Sequence, residues 1–410
     1  MAPLTAGTRP VTTWAAATER LPGSLHEQTV RNVVRTTVGG TSLRVRLSNA
    51  FGDREVTFGG VYVGVGRAGA ALVAGSNRRL TFGGLAEVRL APGTTALSDP
   101  LPGPVHARQR LAVTLYLRGD GGTLTGRNRA TAPAYGRQAA VSPVYRSTSG
   151  DHAADEGGGA YTEEAAVWHW LDALTVVAPE PVSTVAVLGD SLTTGVGSVT
   201  GHGWTDLLAW GTEHRTSDWH RTGDEFAIGT GIAVLGGIAV ANEGVSGGKV
   251  LAAGTGRAAE ERLTAEVLTK PGIDTVILAA GVNDLGAGAR AKDLIAAYRR
   301  IVTAAHAAGV RVVGATITPF AGAVFHSPDA ERARREVNAF IRQAGAFDGL
   351  ADFDAALRDP ADPTRLLPCH DSGDHLHPST AGHHAMAAAV DLRPLPPNRP
   401  ASEATRQVRP

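Results

Sequence analysis

Apolar and polar positions alternate along the first part of the chain. TSLRVRLSN (41–49), VTFGGVYVGV (56–65) and RLAVTLYLR (110–118) each keep a period of two. That period puts successive side chains on opposite faces of a strand. Turn signals break the runs at Gly39-Gly40, Gly52-Asp53 and Gly83-Gly84, so the pattern predicts a jelly-roll-like sandwich of short antiparallel strands. SGDHAADEGGGAY (149–161) reads as a loop, and AVWHWLDALTVVA (166–178) as the strand that closes the sandwich.

The period changes after PEPVS (179–183). Apolar runs too short for helices, at 185–188, 238–241, 275–280 and 310–317, alternate with helical stretches. In AKDLIAAYRRIVTAAHAAG (291–309), Leu294, Ile295, Tyr298, Ile301 and Val302 share one face, and Gly309 suits the end of the helix. Ser327 and Pro328 fit the N-cap and first turn of another. Strands alternating with helices predict an α/β fold, a parallel sheet covered on both faces in three α/β/α layers, whose site lies beyond the carboxyl ends of the strands. The predicted organisation is an extension (1–10), a sandwich (11–179), an α/β domain (180–393) and a tail (394–410) that lacks apolar period and is expected to be disordered.

A chain of 410 residues is long for one core. Its 39 basic and 39 acidic residues cancel, and Lys249, Lys270 and Lys292 are the only lysines among scattered arginines. Neither nucleic acid nor an anionic membrane is the expected partner. Cys369 stands alone, which excludes an intramolecular disulfide and a thiolate metal cluster; it is expected to be a partly buried structural thiol. No apolar run approaches the roughly 20 residues of a membrane span, so no integral membrane contact is expected. The start, MAPLTAGTRP, has neither the charged nor the apolar region of a secretory signal. A secreted protein whose signal has been removed is the preferred expectation, with a cytoplasmic protein as the alternative, and a monomer is expected.

Chemistry collects where the predicted strands end. The first delivers Gly189-Asp190-Ser191, the second Asn242 and then Gly244-Val245-Ser246-Gly247, and the third Gly281-Val282-Asn283-Asp284. DSGDHLHPSTAGHHAM (371–386) precedes the last helix. A serine hydroxyl needs a base, and histidine titrates near neutrality; an oxyanion needs preorganised donors, which a glycine turn and an asparagine amide supply. Asp374 and His377, three residues apart, suit an oriented imidazole within one turn. Plainer uses compete: Asp190-Ser191 as a helix cap, Gly247-Gly248 as an ordinary turn, Asp284 as an N-cap. Asp190 is read as a group that bonds backbone. GVSGG (244–248) also fits the G-x-S-x-G elbow, which would make Ser246 the nucleophile of an α/β-hydrolase. That fold draws its acid and histidine from separate strand ends and uses an HGGG-type oxyanion loop that is not found upstream. His375, His377, His383 and His384 invite a metal reading, but zinc catalysis would leave the serine and the oxyanion donors without employment. No metal and no cofactor are therefore expected, and His383 and His384 are assigned to the surface or to helix packing.

The four blocks GDSLTTG (189–195), NEGVSGG (242–248), GVND (281–284) and DHLHPS (374–379), in this order, resemble the SGNH or GDSL hydrolase superfamily. The resemblance implies that Ser191 is the nucleophile, Asp374 and His377 complete the triad, and Ser191 N–H, Gly247 N–H and the Asn283 amide hold the oxyanion. The β half is similar to the sandwich attached to a subset of GDSL-type esterases and lipases, chiefly through VRTTVGGTSLRVRLSNAFG (34–52). The implied reaction is carboxylic ester hydrolysis through an acyl-serine. Short acyl groups on a carbohydrate or other polar alcohol are preferred, because no long apolar lid is evident; a lipase or phospholipase for longer chains is the alternative. An inactive carbohydrate-binding protein is the reading from another class. The substrate, small or polymeric, is expected to meet aromatics: Trp204, Phe320, Phe325 and His326 are the candidates, with Trp210, Trp219 and Phe226 in the segment after the first helix.

Overall fold

The computed structural model describes residues 7–128, 142–165, 167–180, 182–200, 202–210 and 238–392. Trp219, Phe226 and the 394–410 tail lie outside them. The alternating segments become strands Gly40–Ser48, Val56–Val65 and Arg110–Asp120. Two antiparallel sheets are built from them. One joins Thr8–Ala15, Leu171–Pro179 and Gly40–Ser48; the other joins Val144–Ser149, His26–Arg35, Arg110–Asp120 and Val56–Val65. Their inner faces meet in a core that includes Val30, Val45, Leu47, Phe58, Val61, Leu115 and Leu174. Period two sends alternate side chains of each strand into this core, and Arg110–Asp120 and Leu171–Pro179 are in addition buried in consecutive runs, on both faces.

The closing strand is not continuous. Trp170 takes φ 54° and divides it into Val167–His169 and Leu171–Pro179. The kink turns the indole inward, fully buried and edge-on to Phe58 at 5.2 Å between centroids. The first piece joins a separate small sheet with Leu124–Asn128 and Glu19–Leu21.

In the second half the four expected runs form parallel strands: Ser183–Gly189, Ile238–Gly244, Ile273–Ala279 and Arg311–Ala315. A fifth, Gly349–Ala351, was not expected; three residues are too few to show a period. The spatial order places Ser183–Gly189 between Ile238–Gly244 and Ile273–Ala279. The chain therefore reverses its direction of winding at that central strand, and ligands of such sheets bind at the carboxyl ends beside the reversal. Helices Ala291–Ala307 and Pro328–Ile341 cover the sheet. The first buries Leu294, Tyr298 and Ile301; the second is capped by Ser327, whose side chain accepts from Ala330 N–H, with Pro328 at its start. The chain is thus an all-β sandwich followed by an α/β domain with a parallel sheet.

The halves are joined by specific bonds. Ala16 bridges Asn242 at the free edge of the parallel sheet, and the Thr37 hydroxyl accepts from Val240 N–H. Lys270, buried between the halves, pairs with Asp172 at 3.0 Å and Glu243 at 2.8 Å. Arg46 meets the other oxygen of Asp172 at 2.5 Å and donates to the Thr269 carbonyl. Among the described residues no helix is long and apolar enough to cross a membrane.

Candidate active site

Strand Ser183–Gly189 ends against a single helical turn, Ser191–Thr194. Gly189 is required there, because a Cβ would collide with Thr193 Oγ1 and lie 2.9 Å from the Ala279 carbonyl. Asp190 caps the turn, its Oδ1 accepting from Leu192 N–H at 3.0 Å. This fixes Ser191 as the first helical residue, 7% exposed, where backbone N–H groups have no partner within the helix.

His377 Nε2 lies 2.9 Å from Ser191 Oγ, and His377 Nδ1 lies 2.5 Å from Asp374 Oδ2. A carboxylate only accepts, so Nδ1 carries the proton and Nε2 of the neutral ring receives the serine O–H. Asp374 is itself held: its Oδ1 accepts from Leu376 N–H at 3.0 Å and His377 N–H at 2.8 Å. One oxygen thus shapes the turn and the other orients the imidazole.

Gly247 is exposed with φ 72° and occupies the third position of a turn closed by Gly248 N–H donating to the Val245 carbonyl at 2.8 Å. Such a φ favours glycine. Asn283 lies in the turn Val282–Gly286 beyond the third strand, and its Nδ2 donates to the Gly248 carbonyl at 3.1 Å, tying the Asn283 and Gly247 loops together. An amide nitrogen has two hydrogens, and one of Asn283's remains for a ligand. Ser246, the rival nucleophile, has its hydroxyl 3.4 Å from that of Thr194. Neither is a base, and no His contact to Ser246 occurs among the described residues.

Two acids stiffen the frame. Asp284 is not an N-cap: Gly281 occupies that position, and the Asp284 carboxylate accepts from Val250 and Leu251 N–H across the loop. Burial raises its pKa. Burial likewise pushes Asp190 up to about 7, opposed by the Leu192 N–H and His377 and reinforced by Asp284. Asn242 is wholly occupied by framework bonds, donating to the Thr193 carbonyl and the Thr205 hydroxyl and accepting from Arg127 and Gly244 N–H.

The aromatic candidates separate. Trp204 and Phe320 have no exposed surface and belong to the core, Trp204 edge-on to Phe353 at 5.0 Å, so neither can meet a substrate in this structure. An apolar ring of this size is buried when the sheet leaves room beneath it, which residue type does not disclose. Phe325 and His326 are half-buried on the loop after the fourth strand. Phe325 packs on Gly286, beside the Asn283 turn, and His326 stands edge-on to Phe320 at 5.5 Å. Of the other histidines, His383 is fully buried, its Nδ1 accepting from Trp204 N–H and its Nε2 donating to the Val196 carbonyl. Cys369 is exposed rather than partly buried, because its short 3₁₀ turn faces outward. Among the described residues no three His, Cys, Asp or Glu form a metal-binding group.

Sequence reasoning missed a second Asp–His pair. His375 Nδ1 lies 2.6 Å from Asp371 Oδ2. Its signal was an Asp and His four apart, overlapping the Asp374–His377 spacing.

A hydroxyl, an imidazole and a carboxylate in series, beside an exposed glycine turn and an amide, suit acyl transfer. Residues 187–385 match the GDSL-like Lipase/Acylhydrolase family. That match, over just under half of the chain, supports a carboxylic ester hydrolase by class. Solved structures similar to it include a lipolytic protein of the G-D-S-L family from Desulfitobacterium hafniense DCB-2, at 19% identity and TM-score 0.37, covering 50% of this chain and 97% of that one. An acetylxylan esterase from Geobacillus stearothermophilus is similar at 21% identity and TM-score 0.35, covering 50% and 91%. An aryl esterase of M. smegmatis is similar at 16% and 0.36, covering 50% and 95%. No curated protein matches the chain.

Proposed function

We propose that the chain is a serine esterase that cleaves short acyl groups from a carbohydrate or other polar alcohol. The hydrogen-bonded series Ser191–His377–Asp374 is the observation that carries the reading. His377 removes the Ser191 proton as Oγ attacks the ester carbonyl. The tetrahedral oxyanion is met by the N–H groups of Ser191 and Gly247 and the free amide hydrogen of Asn283. His377 returns the proton to the leaving alcohol, and water, activated by the same imidazole, releases the acid from the acyl-serine. Polar side chains around the site, Thr194 on the helical turn and Ser246 and Ser372 on the loops, favour a hydroxylated alcohol.

A second reading has one observation in its favour. Val199, Leu251 and Val324 are exposed, at 66%, 37% and 104%, on the loops that carry or flank the site, as for a longer acyl chain. Rates on nitrophenyl esters from acetyl to palmitoyl decide between the two. A short-chain esterase loses activity beyond butyryl, whereas a lipase gains it and responds to substrate aggregation. Labelling by a fluorophosphonate, read by peptide mass, is expected on Ser191, and a label elsewhere overturns the assignment.

A further inference from the structure

The loop from Asp371 to Pro378 holds two imidazoles, and the reaction above uses one. The loop is closed by the Asp371–Pro378 bridge and by Ser372 N–H donating to the His377 carbonyl at 3.0 Å. Within it the same construction occurs twice. Asp371 Oδ1 accepts from Gly373 N–H at 2.8 Å and His375 N–H at 3.0 Å, and Oδ2 takes the His375 Nδ1. Asp374 treats Leu376, His377 and the His377 ring in the same way.

Two further features show that His375 is held in place rather than left loose. Its backbone is at φ 62°, a region costly for any residue with a Cβ. Its ring packs against Gly322, where a Cβ would come within 2.9 Å of the imidazole. Gly322 belongs to the loop after the fourth parallel strand, the same loop that places Phe325 on Gly286 beside Asn283. His375 is nevertheless exposed, with 48% of its side chain accessible, and no partner meets its Nε2 among the described residues. One residue, Leu376, separates it from His377, so their Cα atoms are at most about 7 Å apart.

We propose that His375, oriented by Asp371, binds a hydroxyl of the alcohol part of the ester; this rests on the esterase reading above. The carboxylate of Asp371 keeps the proton on Nδ1, so Nε2 presents a lone pair. A lone pair selects an O–H donor, which an acyl chain lacks and a sugar or polyol supplies. The pair is a binding group and takes no part in proton transfer at Ser191.

The test compares two acetyl esters: 4-nitrophenyl acetate, whose alcohol part has no hydroxyl besides the esterified oxygen, and a monoacetylated methyl glycoside. His375→Gly suits the backbone at φ 62° and is expected to keep the wild-type melting curve. Its kcat/KM on the glycoside ester is expected to fall about 3- to 10-fold, the value of one neutral hydrogen bond, through KM, with nitrophenyl acetate unchanged. Asp371→Asn, which frees the tautomer with little change of shape, is expected to give the same selective loss to a smaller degree. Equal losses on both esters in the two variants would mean a structural role and overturn the proposal, as would no loss on either. A wild type inactive on both esters would instead overturn the esterase reading.

Discussion

At the scale of single residues, the site depends on which atom of each side chain is already engaged. Asp374 spends Oδ1 on two backbone N–H groups and Oδ2 on the His377 ring. In Asp374→Asn an N–H would face the ring, and the imidazole would have to turn its lone pair to Nδ1, leaving Nε2–H toward Ser191. The loop persists while the base is lost. Steady-state kinetics on nitrophenyl acetate should show kcat lowered by about 10³ to 10⁴ with KM little changed; a change in KM alone would contradict this division of roles. The hydrogen-bonded chain from Ser191 to Asp374 was legible in the sequence because four blocks follow one another in order at the predicted strand ends and Asp374 and His377 stand three apart, although Ser191 and His377 are 186 positions apart. The side of the surface that Trp204 and Phe320 occupy was not, since an aromatic ring satisfies core and cleft equally. Asp284 was misplaced for a related reason: a carboxylate near a helix start can accept from its own turn or, as here, from Val250 and Leu251 across a loop.

At the scale of elements, period two identified the strands but not the break at Trp170, whose positive φ leaves no mark in an alternation of apolar and polar types. Beside the break His169 is buried, with both ring nitrogens unpartnered among the described residues. Burial, aided by Arg146, pushes its pKa down to about 3, and burial pushes His383 down to about 4. Histidine titrates near 6.5 in the unfolded chain, so above that pH both rings enter the fold already neutral, an advantage over acid pH. The advantage is lost as pH falls from 6.5 toward 3 or 4, at about 1.4 kcal/mol per unit for each histidine. His169→Leu removes one contribution and two unsatisfied nitrogens at similar volume. Urea unfolding should find its stability at pH 7 equal to or above wild type, and its loss between pH 7 and 5 smaller by about 2 kcal/mol. An unchanged acid loss would show that His169 is not the group responsible.

At the scale of the whole molecule, the sandwich and the α/β domain share buried charges. Asp172 comes from the closing strand, Glu243 from the edge of the parallel sheet, and Lys270 joins them. Removing the ammonium leaves two carboxylates buried without it, which costs about 3–5 kcal/mol. If the halves unfold together, Lys270→Ala lowers the Tm by roughly 4–6 °C in one calorimetric transition. A split into two transitions would show that the network joins domains otherwise independent. This coupling was invisible in sequence, where three scattered lysines read as compositional bias. The parallel sheet was legible because strands buried on both faces need continuous apolar runs; Gly349–Ala351 escaped because its neighbours across the sheet, and not its own pattern, define it. The reversal of winding beside Ser183–Gly189 then brings the ends of three strands and the Asp371–Pro378 loop to one edge, where the candidate site stands. The most direct test of that site is the hydrolysis of 4-nitrophenyl acetate by wild type, Ser191→Ala and Ser246→Ala. Loss of about 10³-fold or more in Ser191→Ala alone, with Ser246→Ala active, is the predicted result. Loss in Ser246→Ala with Ser191→Ala active would contradict the account.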